Sequence, residues 1–380
     1  MRTGHARVTN VELFFDLVFV FAVTQLSHRL LHDLTLAGAL GTALLFLAMW
    51  WVWIFTAWAT NWLDPDRTAV RLLLFAMMLA GLLFSISIPH AFAETGLIFA
   101  AAHAAMQLGR TLFAIWAVRA SARMRQNFYR ILVWLGAAAL FWIAGGLAEG
   151  GWRAALWAAA LAIEYAAPWA YFRVPGLGRS QIADWRVDGA HMAERCGLFV
   201  IIALGESIVV TGAAFGEIAW TPATLAAFAT AFVGSVAMWW IYFHIGAERA
   251  AAHIGAAATP GRMARLGYTY LHMPIVAAII LGAVGDELVL QHPDGHADAK
   301  AIAVILGAPA LYLAGNAGFK RLTARHTPLS HVAGLGLLAA LLGVAWLCSP
   351  LGLAALATAV LVLVAGWEHV SLKVRAPRAA

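Results

Sequence analysis

Charge is what this chain has least of. Asp, Glu, Lys and Arg make up 12% of its 380 residues, about half the share of a soluble domain. A water-soluble globule of this size is therefore excluded. Cysteine is nearly absent, and both Cys196 and Cys348 sit in or beside apolar runs. That placement predicts small buried hydrophobes and no disulfide framework. Long polar loops are missing too: the largest, around 173–193 and 286–298, hold about 13–21 residues. Any chemistry must lie within a membrane or at its faces. The chain has no GxSxG, P-loop, CxxC or HExxH, so an enzyme of a known soluble class is not expected. The histidine–acid spacings nearest to a ligand pair are "HMAER" at His191–Arg195 and "WEHV" at Trp367–Val370. Both read as cytoplasmic helix ends, and no metal or cofactor is expected. The net charge of +6 comes from basic residues dispersed singly. It forms no basic stripe, so no nucleic-acid partner is expected.

What is abundant is apolar: 63% of the residues, with a mean hydropathy of +0.80. Lipid is the solvent that suits such a chain. Twelve runs are apolar and long enough to cross it, among them 11–31, 152–172, 264–285, 330–348 and 350–369. The expected fold is all-α, a polytopic membrane bundle of about twelve helices forming one integral membrane domain over 1–380. The last two runs are parted only by Ser349–Pro350, which fits a tight hairpin or a broken re-entrant element. The first run holds two acids and lacks a small-residue cleavage site, so it is expected to remain as a span.

Basic residues orient the chain. With twelve spans and the N-terminus inside, 21 of the 25 Lys and Arg fall on the cytoplasmic side. Arg29, Arg153 and Lys300 fall outside, and Arg110 lies within a span. This asymmetry predicts both termini in the cytoplasm. Two stretches suggest a duplication. "AMWW" occurs at Ala48–Trp51 and at Ala237–Trp240, and a similar offset lays Asp16 over Glu206. Two parallel six-helix halves, 1–190 and 191–380, are the expectation. A competing frame pairs Glu12 with Glu194.

A charge at mid-bilayer costs about 2.5–3.5 kcal/mol, so it normally faces a partner or a wet cavity. Glu12 fits a capping box with Thr9. Asp16 lies one turn deeper on the same face, and its alternatives are an ion pair with Arg110 or a solute or proton role. Glu206 in "ALGES" has His103 and His272 as candidate partners, and is a proton-carrier candidate or a packing acid. Gly205 and Gly212 beside it would let another helix approach closely. Glu164 is a third acid, placed where it could snorkel inward. His103, Gln107 and Arg110 follow i, i+4, i+7 spacing and give one polar stripe that must point into the bundle. Tyr268 and His272 repeat the i, i+4 logic, and Pro274 is expected to break that helix and free carbonyls for a ligand. The central Trp50 and Trp51, echoed by Trp239 and Trp240, are read as packing or as a stacking platform. His191, Glu194 and Arg195 are read as polar groups of the cytoplasmic face.

The stretches "NVELFFDLVFVFAVTQLSHRL", "HMAERCGLFVIIALGESIVV" and "YTYLHMPIVAAIILGAVGDE" resemble the bacterial low temperature requirement A family. The resemblance covers nearly the whole chain. It implies an integral bacterial membrane protein of the cytoplasmic membrane, and supplies no reaction. Its marked positions fall here on Glu12, Asp16, Gln25 and His28; on His191, Glu194, Arg195, Gly205 and Glu206; and on His272, Pro274, Gly285, Asp286 and Glu287. Cys196 stands where an aromatic is expected.

The leading functional expectation is a proton-coupled secondary transporter of a small solute, with membrane lipid as its surroundings and Asp16 and Glu206 as paired carboxylates. The alternatives are a membrane-integral enzyme acting on a lipid or isoprenoid, with the acids as general acid and base, and a sensor or structural protein. An enzyme is the less expected of these.

Overall fold

A computed structural model describes residues 7–181, 188–244, 260–324 and 327–375. Arg2, Arg186, Arg249, Arg325 and Arg378 of the charge argument lie outside the described residues. The described chain is helical and divides into two compact units, Met1–Met192 and Ala193–Ala380.

The first unit contains α1 (Asn10–His32), α2 (Leu36–Trp62), α3 (Thr68–Ser87), α4 (Gly96–Ala117), α5 (Ala122–Leu147) and α6 (Gly150–Trp169), and it takes in the start of α7 (Gly189–Gly216). Successive helices pack as neighbours from α3 to α6, α1 lies on α2 and α3, and α2 reaches α4 and α6. Local chemistry sets the ends. Thr35 Oγ1 accepts from Gly38 N at 3.0 Å to start α2, and Asp188 Oδ1 accepts from Ala190 N at 3.0 Å to start α7; both are N-caps.

The helices are apolar on both faces, as a membrane span requires. Helix α3 buries Val70, Leu74, Met77 and Phe84 while exposing Leu72, Phe75, Leu79, Leu83 and Ile86. Helix α1 is polar inside and greasy outside: Glu12 and Asp16 are fully buried, and Phe14 and Leu17 are exposed. Arg153 is buried at one end of this unit, where its guanidinium donates to the carbonyls of Ala91, Ala93, Gly145 and Ala148. Arg29 donates to Pro89 O at 2.7 Å. These contacts place the ends of α1, α3 and α5 and the starts of α4 and α6 together.

The second unit holds the rest of α7, then α8 (Pro222–Phe243), α9 (His272–Gln291), α10 (Ala299–Ala324), α11 (Leu329–Leu341) and α12 (Pro350–Arg375). Helix α9 packs on α10, α8 on α12, and α11 on both α10 and α12. The expected break at Pro274 is absent. A π-helical segment, Arg265–Leu271, runs directly into α9 instead.

Ten of the twelve helices are long and apolar enough to cross a membrane, so the polytopic helical bundle stands. Two of the twelve expected runs differ in detail. Helix α6 is 20 residues long but carries Arg153 and Glu164. Helix α11 has only 13 residues, and the rest of its apolar run is a turn and a 3-10 segment, Ala345–Leu347.

Close helix approach is testable at α5. A Cβ built on Gly145 would lie 2.5 Å from Cδ1 of Trp157. That indole is fully buried and donates from Nε1 to Trp142 O at 3.0 Å. Gly145→Ala is expected to cost about 1–3 kcal/mol through overpacking. Gly136→Ala on the same helix, where a Cβ meets nothing within 4 Å, is expected to leave the unfolding midpoint in detergent unchanged. Equal midpoints for both variants would refute the packing argument.

Candidate functional site

The polar stripe of α4 points inward, and it organises the centre of the first unit. His103, Gln107 and Arg110 are all buried. His103 Nε2 lies 3.0 Å from Oε1 and 3.3 Å from Oε2 of Glu164 on α6. Trp142 on α5 donates from Nε1 to the same carboxylate at 3.3 Å, and its ring lies 4.3 Å from the imidazole. Two turns along α4, Arg110 donates to Val52 O at 3.3 Å and Thr56 Oγ1 at 3.1 Å on α2, and to Gln107 Oε1. Its guanidinium also lies over the Phe55 ring at 5.4 Å.

Arg110 makes no ion pair among the described residues, so the expected Asp16–Arg110 bridge is not formed. Asp16 instead accepts from Trp53 Nε1 at 2.8 Å. The reason is azimuth. Helix α4 turns its arginine toward α2. Glu164 does not snorkel; it is buried among His103 and Trp142.

Glu12 closes a second cluster. Its Oε2 accepts from Thr9 N and Thr9 Oγ1, both at 2.9 Å, as a capping acid does. Its Oε1 lies 2.9 Å from His191 Nε2, with both side chains fully buried. Proton positions follow from the neighbours. Asp188 N can only donate, and it bonds Asn61 Oδ1 at 3.0 Å. Asn61 Nδ2 therefore donates to Asp188 O at 2.9 Å and to His191 Nδ1 at 3.1 Å. That leaves the imidazole proton on Nε2, aimed at Glu12. Arg195 is also buried, in the second unit, whereas Glu194 is exposed.

In the second unit His272 has both ring nitrogens committed. Gly267 O can only accept, so Nδ1 donates to it at 2.8 Å, and Nε2 accepts from the Tyr242 hydroxyl at 2.8 Å. His272 thus ties the π-helical segment to α8. Glu206 is half-buried on α7. A Cβ built on Gly205 or Gly212 meets nothing within 4 Å, so among the described residues this glycine pair is not a packing seam.

Of these buried imidazoles, His103 is the one with an open nitrogen. Its Nδ1 has no hydrogen-bond partner among the described residues, nor has Nε2 of Gln107 one turn away. Buried polar atoms are normally satisfied, so these two atoms stand out in the stripe. The tryptophans expected as packing or platform are packing in the first unit: Trp50, Trp51 and Trp53 are buried, and Trp51 stacks on Tyr165 at 4.0 Å. In the second unit Trp239 is exposed.

Sequence reasoning missed one charged cluster. Lys320 on α10 and Glu368 on α12, assigned to cytoplasmic ends, form a buried pair with Nζ–Oε2 of 2.7 Å. His331 on α11 lies 3.4 Å from the same carboxylate. The residue types were visible, but the neighbour relation between three helices was not.

The family model for "Bacterial low temperature requirement A protein (LtrA)" matches residues 7–366. The chain belongs to this family. A relative described as an uncharacterized protein of Rhizobium meliloti (strain 1021) is 42% identical over 372 residues, covering 98% of this chain and 91% of the relative. No solved structure matches the chain. Family membership and the apolar helices together make this a multi-pass membrane protein. The marked family positions divide between clusters: Glu12 and His191 meet each other, Asp16 meets Trp53, and His272 anchors the π-helical segment.

Proposed function

We propose that this LtrA-family protein is a proton-coupled secondary transporter of a small solute. We further propose that it resides in the bacterial cytoplasmic membrane with both termini inside, as the lysine and arginine asymmetry implies. The observation that supports transport is the α4 stripe. It brings a histidine–carboxylate pair and a cation without an ion-pair partner together at the centre of a lipid-facing helical unit. Structural helix association needs fewer charges than this, since each costs free energy on insertion. His103 and Glu164 carry the proton. Arg110 and Gln107 hold an anionic or amide-accepting group of the solute. Asp16 and Glu206 remain the further carboxylates of the coupling path.

The test is reconstitution in liposomes containing a pH-sensitive dye, with an imposed pH gradient and a panel of amino acids, sugars and organic anions. One solute class is expected to accelerate collapse of the gradient and to accumulate against its own gradient. Uptake indifferent to the pH gradient would overturn the proposal. So would full activity in Asp16→Asn, Glu206→Gln and Glu164→Gln alike.

A further inference from the structure

Asp286 lies on α9. Among the described residues it makes no hydrogen bond and no ion pair. It lines a partly open cavity of about 50 Å³ between α8, α9, α10 and α12 of the second unit. Each helix contributes residues spaced three or four apart, so one face of every helix is turned to the hollow. Most of these residues are glycine, alanine or aliphatic, and Asp286 is the charged or titratable group among them. Its sequence neighbour Glu287 bonds Gln291 at 3.1 Å and is not part of the lining.

Two hydroxyls share the cavity, Ser235 on α8 and Thr358 on α12. In these helices serine and threonine generally bond back to the carbonyl four residues earlier, which hides the hydroxyl from lipid. Ser85 does so to Gly81 at 2.7 Å, Thr211 to Ser207 at 2.7 Å and Thr323 to Phe319 at 2.9 Å. Ser235, 3% exposed, and Thr358 do not. Both residues line the hollow without that back-bond. A fifth oxygen is available from the backbone. Pro309 lies inside α10 and has no N–H, so the carbonyl of Ile305, another lining residue, lacks its usual i+4 donor.

A carboxylate, two hydroxyls and a released carbonyl form an all-oxygen set, which is the chemistry of a hard cation. The volume suits an ion or a few waters and is far below the several hundred Å³ of an organic-ligand pocket. From this convergence we propose that Asp286, with Ser235 and Thr358, forms a binding site for a small monovalent cation, sodium or a proton. The site lies wholly within the second unit and is separate from the α4 stripe. The inference stands whether or not the protein moves a solute.

The experiment is infrared difference spectroscopy on the purified full chain in detergent. Choline chloride is exchanged for sodium chloride at constant ionic strength, and the pH is stepped separately. The carboxylic-acid carbonyl stretch of Asp286 is expected to change, and Asp286→Asn is expected to remove that signal. Loss of the acid band on adding sodium at fixed pH identifies the ion as sodium. A change with pH alone identifies it as the proton. Thr358→Val, which keeps the carboxylate, is expected to raise the half-saturating sodium concentration about tenfold and to leave the pH response in place. Spectra of the native chain and of Asp286→Asn that respond identically to both exchanges would overturn the proposal. A band insensitive to both exchanges would do the same.

Discussion

Replacing Glu368 with leucine should lower the free energy of unfolding by about 3–5 kcal/mol, the usual cost of stranding one member of a buried ion pair. The carboxylate takes two hydrogen bonds from Lys320 Nζ, at 2.9 and 2.7 Å, and the two side chains are 14% and 10% exposed. Without it the ammonium keeps only the Ile241 carbonyl at 3.1 Å. His331 loses its neighbouring acid at the same time. Removing both charges is a different matter. The double variant Lys320→Met, Glu368→Leu should recover most of the loss, because two desolvated charges are exchanged for apolar contacts of similar volume. The measurement is reversible unfolding in detergent, with the single and double variants compared as a cycle. A single variant as stable as the parent would mean that Lys320 reaches the headgroups by snorkelling. The pair would then hold nothing together.

The second large effect concerns coupling and leaves stability nearly untouched. Glu164→Gln keeps an acceptor oxygen for His103 and Trp142, so the fold should change by no more than about 1 kcal/mol. It cannot exchange a proton. Solute-driven proton flux in liposomes should therefore fall at least tenfold, which corresponds to about 1.4 kcal/mol on the coupled step. Glu164→Ala is the contrasting variant. It leaves the Trp142 donor and the histidine without their acceptor, and should also unfold earlier, by about 1–3 kcal/mol for each orphaned group. Flux lost in both variants in proportion to their loss of stability would make Glu164 structural. Undiminished flux in Glu164→Gln would remove it from the proton path and leave Asp16 and Glu206 as the carboxylates to test.

The class of fold could be read from composition, because a chain with so little charge has few ways to satisfy water. Helix ends could be read where a cap announces them, as at Thr9 with Glu12. The eleventh helix could not. Hydropathy counts apolar residues and is blind to backbone path, so 330–348 looked continuous although the helix stops at Leu341. The π-helical segment was hidden for a related reason. It is tied by a bond from His272 to the Gly267 carbonyl, which periodicity does not encode. Among polar residues, spacing put His103, Gln107 and Arg110 on one face, as observed. It could not say which helix that face meets. An ion pair of Arg110 with Asp16 therefore stayed open as one alternative, whereas the partners are Thr56, Val52 and Gln107. Pairings such as Lys320 with Glu368 depend on the lateral order of helices, and one sequence carries no direct record of that order.

The short eleventh helix has a consequence for the surrounding lipid. Thirteen residues at 1.5 Å each rise about 20 Å, against a hydrocarbon thickness of about 30 Å. The segment beyond it stays greasy, with Leu342, Trp346 and Leu347 exposed. Its backbone is partly closed on itself by turn bonds such as Leu342 N to Ala339 O at 3.2 Å and Leu347 N to Val344 O at 3.0 Å. Acyl chains beside α11 must shorten or splay to meet it, which thins the leaflet locally. This flank of the molecule is therefore expected to favour short-chain or disordered phospholipids over thick, ordered ones.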